Sequence, residues 1–308
     1  MKLLKTILSP ILASAVAFGA GTAQADGSPT AQAETQFVEI DSNRIAYRIV
    51  GNRPAVPLLL LNRFRGTMDH WDPLLIDRIA EHRPVIMFDQ PGFARSGGQP
   101  PASLAEFAGN AAKLAGKLGY GKVDVLGFSM GGMVALQFAL DHPGLLRKLV
   151  IAGSGPGHVA GMPPGVAPAG PAVWQVATRP VNVDDDFMFL FFEPTETSKA
   201  AGRAYLERLK KRKDAFVAQV DAAAWQAQLR SAQSVGTPEA SLLPRLTRVH
   251  HPVLVANGRR DIMVPTYASY AMAQVLPNAT LMVYPDSGHG FLFQHAETFA
   301  RDVLQFLQ

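Results

Sequence analysis

No cysteine occurs among the 308 residues. Disulfides, a thiolate nucleophile and cysteine-ligated metals are therefore excluded, and the chain is indifferent to an oxidising compartment. A surplus of charge is also missing: 29 basic against 25 acidic residues leave a formal charge of only +4, which gives no electrostatic argument for nucleic acid. The one dense basic run, Lys210-Lys211-Arg212-Lys213, lies in a stretch of helical pattern and reads as a solvated helix face. There is no early Gly-x-Gly-x-x-Gly and no phosphate loop. The histidines and carboxylates do not fall into a close zinc-ligand spacing, so neither a metal nor an organic cofactor is expected.

A long uninterrupted apolar run is lacking as well. Thr6 to Gly21 is apolar and small but short for a membrane span, and Pro10 interrupts it. The basic start Met1-Lys2-Leu3-Leu4-Lys5 and the small-x-small pattern Ala23-Gln24-Ala25 make residues 1–25 an expected signal peptide, cleaved after Ala25. The mature protein is then expected in the periplasm or medium with no stable membrane anchor. Residues 26–36 are polar, small and proline-containing, and read as a disordered leader.

What is present centres on Lys122 to Met133. Strand-forming residues end at Gly127-Phe128-Ser129-Met130-Gly131, and the helical pattern Val134 to Leu140 begins at once. This is the context of a nucleophile elbow, in which a sharp turn lifts a serine oxygen above the carboxyl end of a sheet. The free N–H groups of the following helix can meet negative charge developing on a substrate carbonyl oxygen.

Around the elbow, strands and helices alternate. Residues 37–40 and 45–50 read as a hairpin; 57–61, 84–88 and 149–152 are strands, separated by helices at 70–81 and 103–118. Such alternation makes an α/β domain with a mostly parallel sheet and helices on both faces. It stops at Gly153 to Pro171, which is dense in glycine and proline, and resumes with strands at 252–256 and 280–284 and a closing helix at 294–307. Residues 37–154 and 247–308 are thus the expected core, with 155–246 a mostly helical cap.

A serine at neutral pH needs a base, and the base needs an orienting group. Asp261 follows the strand at 252–256 and His289 the strand at 280–284, so a parallel sheet brings both to the edge where Ser129 emerges. Ser, Asp, His is also the expected chain order. Asp286 is the rival acid, three residues before His289, and reads instead as turn-stabilising. Asp89 reads as a loop holder, Asp124 as a buried carboxylate paired in place, and His295 as a packing or capping residue.

These pieces, with Asp89-Gln-Pro-Gly-Phe-Ala-Arg-Ser96 and Gly258-Arg-Arg-Asp261, resemble the α/β-hydrolases. Within them the chain is similar to a capped bacterial branch of carboxylesterases, cofactor-free haloperoxidase-like enzymes and carbon–carbon bond hydrolases. The resemblance implies Ser129 as nucleophile, His289 as base, Asp261 as its partner, and the backbone N–H groups of Met130 and Phe64 as oxyanion hole. The chain departs from the family's common His-Gly after the third strand, having Asn62-Arg63 there.

The expected activity is hydrolysis of a small to medium, largely apolar ester or lactone through an acyl-enzyme. Carbon–carbon bond hydrolysis or perhydrolysis with the same triad, and non-catalytic binding of a small molecule, are the alternatives. Six large apolar residues in a row, Phe187 to Phe192, exceed what one helix face hides, so Phe187, Met188 and Phe191 are candidates for the substrate pocket. Arg63 and Arg65 are expected to flank the entrance and to disfavour a cationic substrate. The sequence carries no signal for an oligomeric state.

Overall fold

The computed structural model describes residues 27–163, 166, 169–212 and 220–308. The expected signal peptide lies outside them. Residues 27–36 correct the expectation of a disordered leader. Ser28 and Thr30 hydroxyls both donate to the Asp77 carboxylate at 2.5 Å, and Pro29–Gln32 forms a short helix, α1. Polar composition suggested disorder, but these polar groups have a partner on the folded surface.

The hairpin follows as β1 (Gln36–Ile40) and β2 (Asn43–Val50), with Asp41 and Ser42 at φ 49° and 64° in its turn. Next come β3 (Leu58–Leu61), α2 (Pro73–Ala80), β4 (Val85–Phe88), α3 (Leu104–Lys117), β5 (Val123–Phe128), α4 (Met130–Asp141) and β6 (Leu146–Ala152). The helix expected from His70 starts later. Thr67 caps a 3-10 turn at Met68–His70, after which Asp72 accepts from Leu74 N–H and Pro73 opens α2, its missing N–H costing nothing there.

Among the described residues, four helices then leave the sheet: α5 (Pro171–Ala177), α6 (Asp184–Phe191), α7 (Glu196–Leu209) and α8 (Ala222–Gln233). The chain returns through β7 (Val253–Gly258), α9 (Thr266–Val275), β8 (Ala279–Tyr284), α10 (Phe291–Gln294) and α11 (Ala296–Phe306). The sheet has eight strands in the order β1-β2-β4-β3-β5-β6-β7-β8. β1 and β2 run antiparallel at one edge, and every pair from β4 to β8 is parallel. The uninterrupted apolar strands β3 and β4 are buried on both faces, as their lack of alternation requires. Asp124, within β5, is paired in place by Arg83 at 2.6 Å and by two bonds from Arg147.

α5 to α8 form a cap over the carboxyl edge of the sheet, and polar ties hold it. Arg208 on α7 forks onto Asp72 at 2.7 and 2.6 Å. Arg65 donates to the carbonyls of Ala177, Arg179 and Pro180, so it fastens the cap while also lining the cavity that holds Ser129. The basic run is also not a solvated helix face. α7 ends at Leu209, and Arg212 turns inward to the Thr30 and Ala31 carbonyls, within 3.8 Å of Asp69; Lys213 lies outside the described residues.

Candidate active site

β5 ends at Phe128, and Ser129 occupies the turn into α4 at φ 57°, ψ −123°. A side chain there stores roughly 1–3 kcal/mol of backbone strain, which the surrounding packing must offset. Gly131 is why the turn is possible: a Cβ in its place would stand 2.0 Å from the Leu61 carbonyl oxygen. That close approach sets the start of α4 against the segment leaving β3. The N–H groups of Met130 and Phe64 find no acceptor among the described residues, as donors awaiting an oxyanion would.

His289 follows β8 and is fully buried. Its Nδ1 lies 2.7 Å from Asp261 Oδ2. Asp261 Oδ1 accepts from the N–H groups of Met263 and Val264, both at 2.8 Å, so the loop after β7 fixes the carboxylate in place. With an accepting carboxylate at Nδ1, that nitrogen donates and Nε2 is left bare to take a proton. Nε2 has no partner among the described residues. The imidazole is held between Phe128 and Phe191, ring centroids 5.0 and 5.3 Å away.

Asp286 is elsewhere. Its exposed carboxylate accepts from Thr195 at 2.8 Å and from Thr197, both at the start of α7, which holds its carboxyl below the usual range. It therefore ties cap to core instead of serving its own turn. Asp89 accepts from Met68 N–H at 2.9 Å and Arg95 N–H at 3.4 Å, and burial pushes its carboxyl up to about 7. It organises the loops beside the site, as expected. His295 stacks on Tyr284 and meets the Pro285 carbonyl.

Two cavities meet at Ser129. One, of about 120 Å³, is lined by Ser129, His289, Arg63, Phe64, His70, Phe187 and Phe191 among others. Arg63, where the family commonly has glycine, turns its side chain here beneath Phe187 and Phe191, its guanidinium carbon 5.0 and 5.2 Å from the two ring centroids. The other, about 560 Å³, is walled by Met130, Met133, Met162, Val159, Trp174 and Met263 with little polar surface. The sequence reading missed this chamber. Its methionines are scattered, and one wall comes from the glycine- and proline-rich segment after β6, which has no periodicity to read. Met188 is a correction: it packs against Gly202 of α7 and faces an outer groove, because Phe187 and Phe191 occupy the inward side of α6.

Among the described residues no group of three or more histidines and carboxylates could hold a metal, and no helix is long and apolar enough to cross a membrane.

Residues 56–296 match the model of the alpha/beta hydrolase fold family. The chain belongs to the α/β-hydrolases. An alpha/beta hydrolase fold protein from Chitinophaga pinensis superposes with a TM-score of 0.80 at 34% identity, covering 91% of this chain and 98% of that one. A 2-hydroxy-6-oxononadienedioate/2-hydroxy-6-oxononatrienedioate hydrolase of Burkholderia vietnamiensis is 32% identical over 73% of this chain and 76% of its own length. A poly(3-hydroxyalkanoate) depolymerase of Ectopseudomonas oleovorans is 29% identical over 88% of this chain and 91% of its own. The family membership makes this α/β-hydrolase an enzyme acting on a small organic substrate.

Proposed function

We propose that the protein is an exported serine hydrolase that cleaves a largely apolar carboxylic ester or lactone through an acyl-enzyme. The observation that carries this reading is the pairing of His289 Nδ1 with Asp261 at 2.7 Å, which leaves Nε2 unpartnered in a cavity shared with Ser129. Ser129 attacks the carbonyl carbon while His289 Nε2 takes its proton. The Met130 and Phe64 N–H groups receive the charge on the carbonyl oxygen. His289 then protonates the departing alcohol, and water deprotonated by the same nitrogen releases the acid.

The methionine-lined chamber supports an apolar arm on the substrate, since unbranched, polarisable side chains adapt to varied shapes. Each methylene buried there contributes up to about 0.8 kcal/mol, or roughly fourfold in kcat/KM. A series of p-nitrophenyl esters from acetate to decanoate should rise to an optimum set by the chamber. Met133→Trp, which fills part of it, should move that optimum to shorter chains. A flat or falling series in the wild type, with no change in the variant, would show that the chamber does not hold substrate.

A further inference from the structure

Arg63 is a buried cation without a counterion among the described residues. Its residue exposure is 6%, Nη1 donates to the neighbouring Phe64 carbonyl at 2.8 Å, and Nε and Nη2 have no partner among the described residues. Burial and the nearby Arg65 lower its pKa to about 10, which still leaves it charged at neutral pH. The other charged side chains that line the same cavity among the described residues are engaged. Asp186 pairs with Arg179 at 2.5 Å, Asp184 with Lys210 at 3.2 Å, and Arg65 with the cap carbonyls. His70 is neutral, its pKa held down at about 3 by burial and by Arg63. It accepts from Thr67 N–H at Nδ1, so its hydrogen is on Nε2, a further donor on the cavity wall.

An unpaired guanidinium in an enclosed site is costly unless something else completes it. The cavity of about 120 Å³ holds the volume of about four waters, enough for a short arm ending in a carboxylate. Phe187 and Phe191 cover the guanidinium, and Phe187, only half-buried, is the ring a ligand would turn aside.

We infer that Arg63 is the subsite for a carboxylate on the substrate, which is therefore a monoanionic ester or lactone with its short charged arm beside Arg63 and its apolar arm in the methionine-lined chamber. This rests on the proposed hydrolase reading and assigns the substrate class of that site. A planar fork of donors suits a carboxylate better than an ammonium does, which accounts for arginine at this position.

The test compares matched esters on the full mature chain. 4-Nitrophenyl hemiglutarate against 4-nitrophenyl pentanoate places the charge on the acyl side. 4-(Butanoyloxy)benzoate against phenyl butanoate places it on the alcohol side. One pair should favour the anion by roughly ten- to hundredfold in kcat/KM, chiefly through KM. Arg63→Gln should bring that ratio to within about threefold of unity, and Arg63→Lys should restore part of it. Ratios near unity in both pairs for an enzyme that turns over the neutral esters would overturn the inference and leave the hydrolase reading standing. Calorimetric titration with glutarate and with pentanamide reads the subsite without turnover. Glutarate should bind the wild type more tightly than the amide and lose that advantage in Arg63→Gln. Equal binding of the two would overturn the inference even if no ester were cleaved, an outcome that would separately count against the hydrolase reading.

Discussion

Replacing Asp261 by asparagine keeps the size of the side chain and reverses what it tells His289. Asp261 now accepts on both oxygens: Oδ1 from the N–H groups of Met263 and Val264 at 2.8 Å, Oδ2 from His289 Nδ1 at 2.7 Å. Asparagine has one oxygen, and two backbone donors claim it. Its amide N–H₂ then faces His289 and donates to Nδ1, which moves the imidazole hydrogen to Nε2 and removes the base from the side facing Ser129. In other Ser-His-Asp sites this substitution costs about 10⁴ in kcat, or about 5.5 kcal/mol of transition-state stabilisation. A loss of 10³ to 10⁴ is expected here on any ester that the wild type hydrolyses. Asp286→Asn, by contrast, loosens two exposed hydroxyl contacts to the cap and should alter kcat/KM by no more than about threefold. Both variants should be measured on one activated ester, with circular dichroism to show that each is folded. A larger loss for Asp286→Asn, or a loss under tenfold for Asp261→Asn, would refute the assignment of the orienting carboxylate.

Two further outcomes follow from other parts of the structure. Burial raises the Asp89 carboxyl from its ordinary 3.8 to about 7, so the folded chain keeps a proton that the unfolded chain has already released. This contribution to stability falls as pH rises through that window and levels off above it. Asp89→Asn, which cannot ionise, should therefore gain on the wild type by up to about 3 kcal/mol between pH 5 and pH 8 in urea unfolding, whereas a pH-independent difference would contradict it. Export with cleavage after Ala25 should give a mature chain beginning at Asp26, read by the mass of protein recovered from the periplasm of a Gram-negative host; an intact chain retained in the cytosol would show the reading wrong.

The elements of the proposed site were legible because each has a local signature. The elbow glycines, the strand ends at Gly258 and Tyr284, and the Ser, Asp, His order are all set by backbone geometry that the residue types announce. Asp261 could be preferred to Asp286 because Asp286 lies only three residues before His289 after the same strand, whereas Asp261 follows a separate strand that ends at the edge where Ser129 emerges. What stayed hidden depends on contacts between distant segments. Arg212 looks like surface charge until Asp69 and the carbonyls of α1 are placed around it. Residues 27–36 look free until Asp77 accepts from two of them. On α6 the helical period decides that Phe187 and Phe191 face inward and Met188 does not, yet six apolar residues in sequence give no contrast from which to read that phase. Arg63 is the instructive middle case. Its departure from the family pattern marks the position, while its lack of a counterion among the described residues is visible only once its neighbours are in place.

In the proposed mechanism Ser129 forms the covalent intermediate. Treating the mature protein with a fluorophosphonate and mapping the adduct by peptide mass tests it most directly. One adduct per chain on Ser129 is predicted, with ester turnover lost in proportion, and both labelling and turnover should be absent in Ser129→Ala that retains the wild-type circular dichroism spectrum. Turnover persisting in that variant, or an adduct on another residue, would contradict the account.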